Sequence, residues 1–183
     1  MDDAEAIRRL KRGDMRGLET LVSRYQVRAV RTAFLVTRDE AMAEDVVAEA
    51  FVRVYHKVHQ FDETRPFEAY LMRSVMNGAL NAIRRQRRSV SLDGNEAEGE
   101  ALLAKAQSVE SQVEYAQLQE TLLAALSRLS PRQRTVVVQR YYLEMTETEM
   151  AEDLEVAPGT VKWLLHAARA RLRQLLGSSR RRE

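Results

Sequence analysis

A chain of 183 residues suits one or two domains with modest cores, and 45% apolar with 31% charged residues describes a globular protein rather than a disordered one. The absence of cysteine excludes disulfides, thiolate zinc sites and cysteine nucleophiles and fits a reducing cytoplasm. No apolar run approaches the ~20 residues of a membrane span, and the start MDDAEAIRR is too acidic for a signal peptide, so a cytoplasmic protein without membrane insertion is expected.

Only 7 Gly and 3 Pro punctuate the chain, which favours long helices. A short first helix spans about Asp2 to Lys11 and stops at Gly13. Asp14 can cap a second, on which Leu18, Leu21, Val22, Tyr25, Ala29, Val30, Ala33 and Phe34 recur at helical spacing. Asp39 can cap the third, with the stripe Met42, Val46, Val47, Ala50, Phe51, Val54, Tyr55 and Val58. His59 to Pro66 (HQFDETRP) breaks the pattern as a loop. Pro66 then suits the first position of a fourth helix bearing Phe67, Leu71, Val75, Ala79 and Ile83. The first half therefore reads as a helical bundle.

From Ser89 to about Gln107 the composition turns acidic and glycine-bearing, which marks a flexible linker. Extended, about twenty residues reach roughly 65–70 Å, or about two turns of duplex DNA. Helix resumes near Ser108 with Val113, Ala116, Leu118, Leu122, Leu123, Leu126 and Leu129. Ser130 followed by Pro131 starts the next, carrying Val136, Val137, Tyr141 and Tyr142. Thr146 and Glu149 form a capping box ahead of a short helix. Pro158 opens a last helix to about Leu176, ending at Gly177.

A short helix, a tight turn and a longer helix outline a helix-turn-helix. Ala151 is small enough for close crossing, and Met150, Leu154, Val156, Val161 and Leu165 are spaced to fill the wedge. The first turns of the second helix offer Gly159, Thr160, Lys162, Trp163 and His166 to base edges, followed by Arg169, Arg171 and Arg173 for phosphates. A second basic element, Arg84, Arg85, Arg87 and Arg88, ends the first bundle after a helix carrying Arg73, Asn77 and Asn81. The loop before it holds Gln60, Phe61 and Arg65, and Phe61 and Arg65 suit stacking on unpaired bases. On the third helix Glu44, Asp45 and Glu49 lie off the apolar stripe, with Asp45 and Glu49 one turn apart. The three histidines, His56, His59 and His166, lack metal-ligand spacing, and no nucleophile or oxyanion site accompanies the carboxylates. The residues thus point to neither a catalytic site, a metal nor a cofactor.

The order of these parts resembles a known family. AEDVVAEAFVRVYHKVHQFDETRPFEAYLMRSVMNGALNAIRRQRR resembles the second conserved region of extracytoplasmic-function sigma factors, and LAALSRLSPRQRTVVVQRYYLEMTETEMAEDLEVAPGTVKWLLHAARARLRQLL resembles their fourth. The resemblance implies that the acidic face, through Asp45 and Glu49, grips the clamp helices of core RNA polymerase. It implies that Gln60 to Arg65 takes an extruded base of the −10 element and that the Asn77 helix faces that element, with Arg84 to Arg88 on phosphates. The helix-turn-helix would read the −35 element of promoter DNA while resting on the polymerase flap, and an anti-sigma factor would be a partner. Against the family pattern GTVKSRLHRARARL this chain has GTVKWLLHAARARL, so Leu164 and Ala167 stand where arginines are usual, which implies weaker −35 contacts. Glu155 stands at the usual turn glycine, Tyr70 at a common tryptophan and Met76 at a frequent arginine.

The expected architecture is all-α: residues 1–88 as sigma region 2, a flexible linker over 89–107, and 108–183 as region 4 with the helix-turn-helix. The expected function is an alternative sigma factor that works by binding and is not an enzyme. The alternative is a helix-turn-helix regulator acting on duplex DNA without polymerase.

Overall fold

The computed structural model describes residues 1–90 and 109–179, and every regular element among them is helical. In chain order these are α1 (Asp3–Lys11), α2 (Arg16–Thr37), α3 (Glu40–Lys57), α4 (Phe67–Val90), α5 (Val109–Ser127), α6 (Pro131–Tyr141), α7 (Glu147–Leu154) and α8 (Pro158–Ser179). A short 3₁₀ turn, Val58–Gln60, follows α3. The chain divides into two compact units, Met1–Asp93 and Gly94–Glu183. The expected linker falls almost wholly outside the described residues.

In the first unit α2, α3 and α4 pack against one another, and α1 lies across α2. Leu21, Phe34, Val46, Val54, Leu71, Val75 and Met76 are fully buried between them. Each such side chain contributes about 1.5–3 kcal/mol of transfer free energy. Gly17 is what lets α1 cross so closely. A Cβ there would lie 2.2 Å from the Ala6 carbonyl oxygen and 2.8 Å from the Leu10 nitrogen, both backbone. At the end where α3 turns into α4, the rings of Tyr25, Phe61, Phe67 and Tyr70 form a continuous aromatic cluster with centroid separations of 5.0–6.3 Å.

The starts of the helices follow local chemistry. Asp2 and Asp39 accept from Glu5 and Met42 backbone N–H groups and so cap α1 and α3. At α2, Met15 ahead of Arg16 is already helical at φ −62° and ψ −19°, and the Asp14 carboxylate accepts from the Arg16 backbone N–H at 3.1 Å and from its guanidinium, so Asp14 supplies the capping bond expected of it. α2 ends at Arg38, left-handed at φ 62°, whose guanidinium stacks 4.8 Å over the Phe34 ring. Burial there pushes the Arg38 pKa down.

The second unit is built on α8, which packs against α5, α6 and α7. Ser130 and Gln133 form a capping box on α6 with Pro131 inside the first turn, and Thr146 and Glu149 form another on α7. The Thr146 hydroxyl and amide bonds hold the Glu149 carboxyl below its usual range. Tyr141 and Tyr142, expected on the apolar stripe of α6, are exposed, because α6 ends at Tyr141 and the chain turns away. The final helix continues through Gly177 to Ser179 rather than stopping at the glycine.

Candidate nucleic-acid interface

Met150, Ala151, Val161, Leu164 and Leu165 form the buried wedge between α7 and α8, with Leu154 and Val156 partly buried against it. Between the helices the backbone turns at Glu155, left-handed at φ 54° and ψ 45°, with the Val156 amide bonded to the Ala151 carbonyl at 3.0 Å. The resemblance puts a glycine at this turn, and a left-handed backbone is what a glycine allows there. A Cβ in that conformation costs of order 1 kcal/mol.

Leu164 is part of this core at 6% exposure, so the idea that an arginine usual there has been lost from a DNA-facing position is wrong for this chain. Ala167 is partly buried. Exposed on α8 are Gly159, Lys162, Trp163, His166, Arg169, Arg171 and Arg173, with Thr160 intermediate. Helical periodicity sets Lys162, His166, Arg169 and Arg173 in one stripe with Gly159 and Trp163 on its flank. Arg171 leaves from the opposite side and bonds Gln174 at 3.5 Å, so it does not extend the row as expected. Trp163 is 66% exposed. Lys162 lies 3.8 Å from Glu147 on α7, an exposed pair.

Tyr141, a residue the sequence reading assigned to packing, reaches this surface. Its hydroxyl accepts from Arg169 Nε at 2.8 Å, and the guanidinium carbon lies 5.8 Å from its ring centre. A long cation is thereby held in one orientation. The signal in the sequence was only a tyrosine near a helix end.

In the first unit the polar residues of α4 gather as expected. Arg73, Asn77, Asn81, Arg84 and Arg88 share one stripe by periodicity, with Arg85 and Arg87 on either flank, and the arginines are exposed. The loop ahead of α4 is ordered by its own bonds. Asp62 accepts from the Thr64 amide at 3.0 Å and hydroxyl at 2.7 Å, which lowers its pKa, and Arg65 lies 3.6 Å from it. Gln60 and Arg65 face solvent. Phe61 does not. At 8% exposure it packs against Phe67 and Tyr70, so its expected role in stacking on a base is replaced by one of anchoring the loop. An apolar ring beside other rings gains more from burial than from waiting in water.

On α3, Glu44, Asp45 and Glu49 are all exposed. Asp45 and Glu49 lie one turn apart, and Glu49 also lies 3.5 Å from Arg53 and 3.9 Å from Arg85, both exposed pairs. Val52 and Tyr55, at 54% and 44% exposure, continue the face of Asp45. Among the described residues no group of carboxylates and histidines could hold a metal ion, and no helix is long and apolar enough to cross a membrane.

An all-helical unit with an acidic helix face and a polar helix, and a second unit bearing a helix-turn-helix, have the make-up of a DNA-binding protein. Residues 21–89 match the Sigma-70 region 2 family, and residues 119–172 match Sigma-70 region 4. The ECF RNA polymerase sigma factor SigW of Bacillus subtilis is 30% identical over 93% of this chain and 94% of its own. The sigma factor CnrH of Cupriavidus metallidurans is 30% identical over 90% and 88%. Among solved structures, CnrH in complex with the cytosolic domain of CnrY is similar at a TM-score of 0.62 and 25% identity, covering 96% of this chain and 97% of that one. The chain belongs to the extracytoplasmic-function sigma factors. It is an alternative sigma factor, a regulatory initiation factor that directs transcription by RNA polymerase. The regulator that ignores polymerase is thereby set aside.

Proposed function

We propose that this sigma factor works by binding alone, in the cytoplasm, with the first unit opening the −10 element and the second reading the −35 element. The observation that carries the reading is the polar stripe of α4, Arg73, Asn77, Asn81, Arg84 and Arg88, running on from the ordered loop Gln60 to Arg65. Exposed amides and guanidiniums in a row suit one strand of DNA, and the loop offers Gln60 and Arg65 to an extruded base. Capturing that base offsets part of the unstacking cost. On α8, Lys162, His166, Arg169 and Arg173 would meet phosphates and base edges, with Trp163 beside them.

The outer face of α3, with Glu44, Asp45, Val52 and Tyr55, is the surface offered to the polymerase clamp, and the second unit would rest on the flap. CnrH is held in complex with the cytosolic domain of CnrY, which supports a protein partner for this chain as well, and we read that partner as an anti-sigma factor. The unit boundaries at 1–88 and 108–183, with a linker between, belong to the same reading. Reconstitution with core polymerase and run-off transcription tests it. Asp45→Lys should weaken core association by the about 2–5 kcal/mol typical of a desolvated charged contact. Unchanged affinity for core would return Asp45 to ordinary surface charge.

A further inference from the structure

Tyr141 ends α6, outside the helix-turn-helix, and is 59% exposed. The turn behind it is closed by its own bonds. The Tyr142 and Leu143 amides donate to the Val138 carbonyl oxygen at 2.9 and 3.0 Å, and the Met145 amide donates to that of Gln139 at 2.9 Å. Arg140 Nη1 donates to the Met145 carbonyl oxygen at 2.9 Å, across a left-handed Glu144 at φ 56°. The tyrosine is thus mounted on a fixed corner.

Its contact with Arg169 engages the donor on Nε and leaves those on Nη1 and Nη2. Among the described residues no carboxylate pairs with Arg169, whereas Lys162 on the same stripe lies 3.8 Å from Glu147. A neutral phenol orients the guanidinium without cancelling its charge, which a carboxylate would do. A hydroxyl that accepts one bond still has its own proton to donate. The Tyr141 O–H and the Arg169 Nη groups can therefore converge on the oxygens of one anion, approached from α6 and α8 together. We propose that Tyr141 is a ligand for a backbone phosphate of duplex DNA and the positioning residue for Arg169, so that the DNA contact of the second unit extends from α8 onto the end of α6. The proposal rests on reading α8 as the −35 surface. An arginine ordered beforehand also loses less side-chain entropy on binding than a free one.

The test uses the full-length chain and a fluorescent duplex that the chain itself selects from a −35 library, with binding followed by anisotropy. Tyr141→Phe keeps the ring and removes only the hydroxyl. It should weaken binding about two- to tenfold, the range for one hydrogen bond. Arg169→Gln should flatten the slope of log affinity against log salt by about 0.9, the value for one lost phosphate contact on a duplex. A second series replaces one backbone phosphate at a time by a neutral methylphosphonate. At one position the wild-type chain should lose affinity, and there both Tyr141→Phe and Arg169→Gln should cost nothing further. A loss from Tyr141→Phe that persists on every methylphosphonate duplex would assign the hydroxyl to packing and overturn this inference alone, as would wild-type affinity of that variant. Binding unmoved by Lys162→Gln, His166→Gln and Arg169→Gln would overturn the −35 reading beneath it.

Discussion

Lys11, the last residue of α1, donates to the Glu63 carboxylate at 2.7 Å and to the Phe61 carbonyl oxygen at 3.1 Å. One ammonium thus ties the first helix to two residues of the loop that precedes α4. With the Phe61 ring anchored below and the Asp62 turn closing the tip, the loop is held from three directions.

If that loop receives an extruded base, Lys11 is a positioning residue for it. Lys11→Met should slow open-complex formation about three- to tenfold, matching ~0.7–1.4 kcal/mol of lost loop order. Permanganate reactivity of the opened thymines measures this, and Lys11→Arg should restore most of it. Opening by Lys11→Met at the wild-type rate would show that the aromatic anchor suffices.

In the second unit Gln139 on α6 donates its amide to the Asp153 carboxylate on α7, with both residues buried at 0% and 3% exposure. A lone Gln139→Leu strips a buried carboxylate of a donor and should cost about 1–3 kcal/mol. Replacing both residues by leucine should recover much of that, since two matched apolar groups leave less polar surface unpaired. Amide hydrogen exchange of α6 and α7 follows the local stability. Additive losses in the double variant would deny the coupling.

Leu164 and Trp163 are neighbours with opposite fates. Leu164→Arg puts a guanidinium into the wedge with Met150, Val161 and Leu165 and should destabilise the unit by about 2–4 kcal/mol. Trp163→Ala should leave thermal stability within ~0.5 kcal/mol, because the ring is exposed. It should relax preference among −35 sequences if the indole meets bases. Equal affinity across a −35 library before and after the substitution would remove Trp163 from readout.

The strain at Glu155 has a direct remedy. Glu155→Gly should raise stability by about 0.5–1 kcal/mol, since glycine adopts positive φ without a Cβ clash and this gain outweighs its extra unfolded-state entropy. A lower unfolding midpoint for the variant would mean that Glu155 makes a compensating contact.

The helices and their caps at Asp39, Ser130 and Thr146 were legible from the sequence because caps are local chemistry, whereas the turn at Glu155 was marked only by the family's usual glycine. The α4 stripe was legible too, since periodicity alone aligns Arg73 with Asn77, Asn81 and Arg84. What escaped was tertiary. Nothing adjacent to Phe61 tells that Phe67 and Tyr70 fold back over it, whereas Leu164 shares the apolar face of Val161, Leu165 and Ala168 and was misplaced by the family's usual arginine rather than by its spacing. The contact of Glu49 with Arg85 also escaped, since it exists only once α3 and α4 are side by side.

The connections after α6 and α7 are short. Residues 142–146 link α6 to α7, and residues 155–157 link α7 to α8. Their mutual contacts therefore join residues near in sequence, and little chain entropy is spent before each pairing is rewarded. Helical topologies of this kind fold in roughly microseconds to milliseconds, while a ribosome adds about 5–20 residues per second. Folding of the helix-turn-helix is therefore fast beside its synthesis, and the interval before newly made protein becomes competent is set by translation rather than by folding.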